Sequence, residues 1–219
     1  MALINPLLGS NLVTGAAPFN TTLIGNSIWL DGSADYLSKT PTAGDRTRWT
    51  LAWWFQLNKV STEMAFFSAN TSTNEFRIAF EATGQLMVQD DNASMNMLTS
   101  ALLRDVGWYH CIVSYDSNQT VAQDRVRVYV NGIQQTLTTG SAAEPSSGGE
   151  TFWNNNQANE IGRRSRTTSS YANAYMTQIC FLNADSIQNG DVAVTDFLNS
   201  FTYGTNGSQF GPKKDSVIA

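Results

Sequence analysis

The stretch Arg125-Val126-Arg127-Val128-Tyr129-Val130-Asn131-Gly132 constrains the fold more than any other part of this chain. Strict alternation puts Val126, Val128 and Val130 on one face of a strand, and Arg125, Arg127 and Tyr129 on the other. Asn131-Gly132 then supplies the two positive-φ positions of a type I′ turn, so the chain must double back through Ile133 to Leu137 as an antiparallel hairpin. The same period of two recurs along most of the chain. It predicts strands near 27–30, 36–39, 48–57, 63–68, 75–81, 85–89, 94–99, 108–115, 125–131, 134–138, 160–163 and 174–182. Turn signals separate them at close spacing: Asp31-Gly32, Ala43-Gly44-Asp45, Thr83-Gly84, Asn131-Gly132 and Asn189-Gly190. Many short strands joined by polar turns make an all-β sandwich or barrel.

Thr50–Leu57 (TLAWWFQL) is apolar on both faces, as suits a central strand covered on each side. Only 192–200 reads as a helix, with Asp191 as its cap. Residues 1–26 follow neither period and read as an extended arm that needs another surface to lie on. The chain thus divides into an arm (1–26), a sandwich (27–185) and a short helix with a tail (186–219). The low charged fraction, 14%, fits this reading, because exposed helices draw on Glu and Lys whereas polar turns use Asn, Ser, Thr and Gly.

The net charge of −5 leaves no basic face for nucleic acid, and the one concentration of positive charge is Arg163-Arg164-x-Arg166. No apolar run approaches the ~18 residues of a membrane span. The N-terminus lacks the basic and apolar regions of a signal peptide, which points to synthesis in a reducing cytoplasm. Cys111 and Cys180 both lie in apolar strand-like runs and read as buried thiols. A disulfide would require their strands to be neighbours.

Catalytic patterns are missing. Hydrolysis of a glycosidic bond needs two carboxyl groups across one cleft, roughly 5–9.5 Å apart. None of the six glutamates (63, 75, 81, 144, 150, 160) is spaced to pair with another carboxylate on one strand face. His110, the only histidine, sits mid-strand beside Cys111 and reads as a packed residue. No phosphate loop or zinc spacing appears. For ligand contact the better candidates form a loop: Trp153 with Asn154, Asn155 and Asn156, followed by Arg163, Arg164, Arg166 and Tyr171. An aromatic beside amide and guanidinium donors is what a sugar site requires.

Five motifs occur together in a recognisable order. They are Trp29-Leu30-Asp31-Gly32-Ser33-Ala34-Asp35-Tyr36-Leu37, then Arg48-Trp49-Thr50-Leu51-Ala52-Trp53-Trp54-Phe55, then Trp108-Tyr109-His110 with Ser114-Tyr115-Asp116, then the 125–132 hairpin strand, then Glu160-Ile161-Gly162-Arg163. In this the chain resembles the laminin-G-like, concanavalin A-like jelly-roll domain over residues 27–185. It is most similar to a subset common in tailed bacteriophages, especially marine and cyanobacterial ones, whose domain follows a start like Asn5-Pro6-Leu7-Leu8. The resemblance implies a two-sheet jelly-roll sandwich with Trp29, Trp49, Trp53, Trp54 and Trp108 filling the space between the sheets. It also implies a non-enzymatic structural protein on the virion surface, as capsid decoration or tail fibre, present in several copies or as a homo-oligomer and docked to other virion proteins through residues 1–26. A host-surface glycan is the implied partner, and a receptor-recognition module of the tail is the alternative. Many relatives bind one Ca2+ at a sandwich rim. The candidate ligands here are Asp90, Asp91 and Asn92, or Asp116 and Asn118.

Overall fold

A computed structural model describes residues 27–140 and 144–198. The strands are β1 (Ile28–Asp31), β2 (Leu37–Lys39), β3 (Arg48–Leu57), β4 (Met64–Asn70), β5 (Glu75–Phe80), β6 (Leu86–Asp90), β7 (Met95–Thr99), β8 (Trp108–Asp116), β9 (Val126–Val130), β10 (Ile133–Gln134), β11 (Leu137–Thr139), β12 (Asn159–Ile161) and β13 (Asn173–Asn183). One helix, α1 (Val194–Leu198), follows. The strands form two antiparallel sheets. The six-stranded sheet has the order β1-β13-β3-β8-β9-β10, and the seven-stranded sheet β11-β7-β6-β5-β4-β12-β2. This is the expected all-β jelly-roll sandwich.

The core lies between the sheets and follows from the alternation. Trp49, Leu51, Trp53, Phe55 and Leu57 of β3 point inward and meet Phe66, Phe67, Phe76, Ile78 and Phe80 of β4 and β5. A bulge in β4 between Ala65 and Phe67 turns two successive phenylalanines toward the core. Their rings close on Trp53 at 6.0 and 4.9 Å. Val126, Val128 and Val130 face inward as the alternation requires, and Asn131 (φ 51) and Gly132 (φ 82) make the left-handed turn.

Four expectations are corrected. The hairpin's return is not one strand over 134–138. Ile133 and Gln134 pair with β9 in one sheet, whereas Leu137–Thr139 pairs with β7 in the other, so the chain changes sheets between them. Trp29 does not fill the inter-sheet space: β1 turns Leu30 inward and leaves Trp29 57% exposed. Trp54 and Trp108 also face away from the core, since they alternate with Trp53 and Tyr109. Asp191 does not cap the helix, which starts later. Its carboxylate accepts N–H groups of Ser186 and Asn189, and Asp196 instead accepts the Ala193 amide (2.8 Å). Cys111 and Cys180 are free thiols on β8 and β13, which β3 separates. Residues 1–26, cast as the arm, and 199–219 of the tail lie outside the described residues.

Candidate functional site

The outer face of the seven-stranded sheet carries a polar row. Register aligns Ser38, Glu160, Ser68, Arg77, Gln89 and Asn96 across β2, β12, β4, β5, β6 and β7. Residues opposite one another in an antiparallel pair project to the same side, so six strands contribute one line of hydrogen-bonding groups. Arg77 is its centre, donating to Gln89 Oε1 (2.9 Å) and Glu63 Oε1 (2.5 Å).

A loop after β12 folds over part of this face. Gly162 (φ +95) opens it, and only glycine fits: a Cβ there would lie 2.8 Å from Leu30 Cδ1. The Ser68 hydroxyl pins the loop by donating to the Arg163 carbonyl (2.8 Å) and accepting the Ser165 amide (3.0 Å). Arg163 then reaches Glu160 through two bonds of 2.6 and 2.7 Å and lies 3.5 Å over the Tyr36 ring. Its guanidinium is held above its ordinary value, first by Glu160 and then by the Tyr171 hydroxyl. Arg164 makes a second two-bond pair with Glu75, whose side chain is 1% exposed. Arg166 approaches Asp91 at 3.6 Å. Arg163 and Arg164 thus each meet a carboxylate in the two-bond fork geometry that fixes both planes.

The structure gathers some of the predicted ligand residues and disperses others. Arg163, Arg164, Arg166 and Tyr171 come together at this face. Trp153, expected at an exposed rim, is instead 1% exposed and packs in the core against Phe76, Phe67 and Phe181, with ring centroids 5.3, 5.8 and 6.1 Å away. Asn154 is also buried, in the left-handed region at φ 62. It holds its loop by donating to the Asp45 carbonyl (3.0 Å) and Asn183 Oδ1 (2.7 Å). Asn156 is exposed, Asn155 half-buried, and the Asn155 side-chain Oδ1 accepts the Asn156 backbone amide. Aromatic character alone did not distinguish a rim tryptophan from a core one.

The calcium candidates do not fit a cation. Asp90 ends β6 and Asp91 begins the turn after it, and their carboxylates serve different partners. Asp90 turns inward, where its carboxylate accepts amides of Asn92 (2.9 Å), Ala93 (2.8 Å) and Phe152 (2.6 Å). Burial nevertheless pushes it up to about 7. Asp91 accepts the Glu75 amide and the Gln89 side chain. Asp116 accepts from Asn118, Gln119 and Ser186. These oxygens serve as loop fasteners. Among the described residues, no group of three or more His, Cys, Asp or Glu is placed to hold a metal ion.

A family model described as the concanavalin A-like lectin/glucanases superfamily matches residues 31–185. The chain belongs to that superfamily. No curated protein matches it. Among solved structures this concanavalin A-like sandwich is similar to a native heptameric SAP-like pentraxin from Limulus polyphemus, with 13% identity and a TM-score of 0.56 over 80% of this chain and 81% of that one. It is also similar to domain 4 of AbnA, an extracellular arabinanase from Geobacillus stearothermophilus, in complex with arabinotriose (14%, 0.53, 78% and 76%). Domains LG4-5 of the mouse laminin alpha1 chain resemble it as well (13%, 0.51, 73% of this chain), and there it spans only 44% of the other chain. At these identities the likeness is one of fold.

In this concanavalin A-like sandwich the outer-face carboxylates are mostly committed. Glu63, Glu75 and Glu160 each bond an arginine. Glu81 differs: its Oε1 is buried without a hydrogen-bond partner, and desolvation, then the charge of Glu63, raises its pKa. The sequence signal for the network was Glu75-x-Arg77, two opposite charges on the same face of one strand. Its partners in the 160–166 loop come from far along the chain.

Proposed function

We propose that the chain is a non-catalytic carbohydrate-binding module displayed on the surface of a tailed-phage particle. The mutual pairing of arginines and carboxylates on the seven-stranded sheet supports this reading. A carboxylate held by two guanidinium bonds is poorly suited to act as acid or nucleophile, whereas a row of immobilised donors and acceptors is prepared to bind polar ligands without an ordering cost. The fold agrees, and the similar AbnA domain was seen in complex with arabinotriose. The virion setting rests on the sequence motifs and their order. Residues 1–26 supply the contact with other virion proteins, and multicopy display compensates for a weak single site.

The binding test is an array of host-surface polysaccharides probed with the wild-type protein and with Gln89→Ala, which trims the polar row without stranding a charge. Retention of glycans by the wild type and their loss in the variant support the reading. Absence of any binding overturns it. The setting is tested separately by locating the protein on purified particles by electron microscopy. Regular capsid coverage means decoration, tail-tip density means receptor recognition, and absence from the particle removes the virion role.

Glu81 favours a second reading, a hydrolase, because a buried carboxyl without a hydrogen-bond partner, its pKa raised by desolvation and then by the charge of Glu63, has the character that a general acid requires. Release of reducing ends that stops in Glu81→Gln would establish it.

A further inference from the structure

The six-stranded sheet has an outer face of a different character. Register places Trp29 of β1 beside Tyr175 of β13, Tyr175 beside Gln56 of β3, and Gln56 beside Trp108 of β8. These four side chains therefore share one face in one row. Trp29 is 57% exposed, and the other three are part-exposed. The Trp29 and Tyr175 rings lie 26° from parallel with centroids 6.4 Å apart. Gln56 donates its Nε2 to the Val106 carbonyl (2.7 Å), which fixes the amide between the aromatic residues. The row contains no charged group.

We propose that this row is a second carbohydrate platform, for a neutral linear polysaccharide lying across the strands. The inference rests on the reading of the chain as a glycan-binding module and adds a site on the opposite sheet. Three features fix the ligand class. First, Trp29, 57% exposed and lying 26° from parallel to Tyr175, offers apolar ring surface against which the polarised C–H groups of a pyranose pack. Second, three inter-strand steps of about 4.8 Å span about 14 Å, the reach of an oligosaccharide and not of one sugar. Third, a row without charge offers nothing to a carboxylated or sulfated chain, while the Gln56 amide can exchange hydrogen bonds with hydroxyls. Interruption of the aromatics by a fixed amide suits a ligand whose apolar faces and hydroxyls alternate.

The test is titration of the full-length protein with neutral β-glucan and β-galactan hexasaccharides, followed by tryptophan fluorescence and calorimetry. The wild type should bind at least one of them with a change in emission. Trp29→Ala and Tyr175→Ala should each weaken binding about tenfold or more, the equivalent of about 1.4 kcal/mol, while Trp29→Phe retains most of it. Val121→Ala, at an exposed residue outside both rows, should leave this binding intact. If Trp29→Ala binds like the wild type, the platform is overturned while the module reading survives. If only Gln89→Ala loses binding, the site lies on the seven-stranded sheet alone. Binding to no hexasaccharide overturns the platform, whereas the polysaccharide array decides the module reading independently. Conversion of a dimer to a monomer by Trp29→Ala, with unchanged sugar affinity, assigns the row to a second copy of the chain and overturns the proposal.

Discussion

His110 shows how a single residue couples burial to pH. It packs 5.0 Å from Trp54 on the six-stranded sheet, is 3% exposed, and its Nδ1 has no hydrogen-bond partner. Desolvation lowers its pKa to about 3. The folded protein therefore keeps the ring neutral while the unfolded chain takes up a proton below about 6.5. The unfolded state binds more protons on the acid side, so stability falls as pH drops from about 6.5 towards 3. At pH 4 the loss from this group is about 3 kcal/mol relative to pH 8. Asp90 works in the opposite sense. With its folded value raised to about 7, its contribution is full below the ordinary carboxylate range and is lost as pH rises through 7. The difference between wild type and His110→Leu isolates the histidine. Between pH 8 and pH 4 the urea midpoint of the wild type should fall further than that of the variant, and parallel profiles would contradict the assignment. Arg164 makes the second residue-scale case. Arg164→Met removes the two-bond partner of the Glu75 carboxylate, 1% exposed, leaves it only Arg77 Nε at 3.8 Å, and should cost about 3 kcal/mol in denaturant unfolding. Adding Glu75→Gln should restore much of that, because the cost is the poorly compensated buried charge and not the lost contact. If the double variant is as unstable as the single one, the guanidinium matters for packing instead.

At the scale of the element, the β9–β10 hairpin is where local chemistry alone decides the structure. Gly132 sits at φ +82, a conformation that an L side chain adopts at a cost of about 1–2 kcal/mol. Gly132→Ala should lower stability by that amount. Gly107→Ala, where nothing lies within 4 Å of the added carbon and φ is ordinary, should stay within about 0.5 kcal/mol of wild type. Equal melting temperatures for the two would remove the turn as a determinant. The strand positions were legible for the same reason, since alternation is a property of neighbouring residues. The change of sheet between Gln134 and Leu137 was not. The Thr136 carbonyl accepts the Ser100 amide (2.9 Å), and this partner lies more than thirty residues away in sequence. No glycine or proline marks the crossing. Glu75 and Arg77 could be read as sharing a face, but their pairing with Arg164 and Glu63 needed the loop after β12 and the segment before β4 to fold over the sheet.

The molecule as a whole is a sandwich with two unlike outer surfaces, one paved with ion pairs and the other bearing aromatic residues. Its loops are fastened by carboxylate-to-amide bonds and not by a cation, so calcium addition or chelation should leave the thermal midpoint unchanged. A ligand that bound only the folded state at a hundred times its Kd would add about 2.7 kcal/mol, and a rise of several degrees on adding calcium would show that the Asp90 or Asp116 fasteners had been misread. The amino-acid sequence by itself determined the strand alternation, the hairpin turn, the inward residues of β9, and the membership of a jelly-roll family, because these depend on side-chain period and on motifs read in order. Only the tertiary structure decided which tryptophans are core and which are surface. Trp153 follows Phe152 and Trp29 lies between Ile28 and Leu30, so both have apolar neighbours in sequence, yet one packs among Phe67, Phe76 and Phe181 and the other faces away from the core on an edge strand. That choice depends on which segments, distant along the chain, come to lie against each ring.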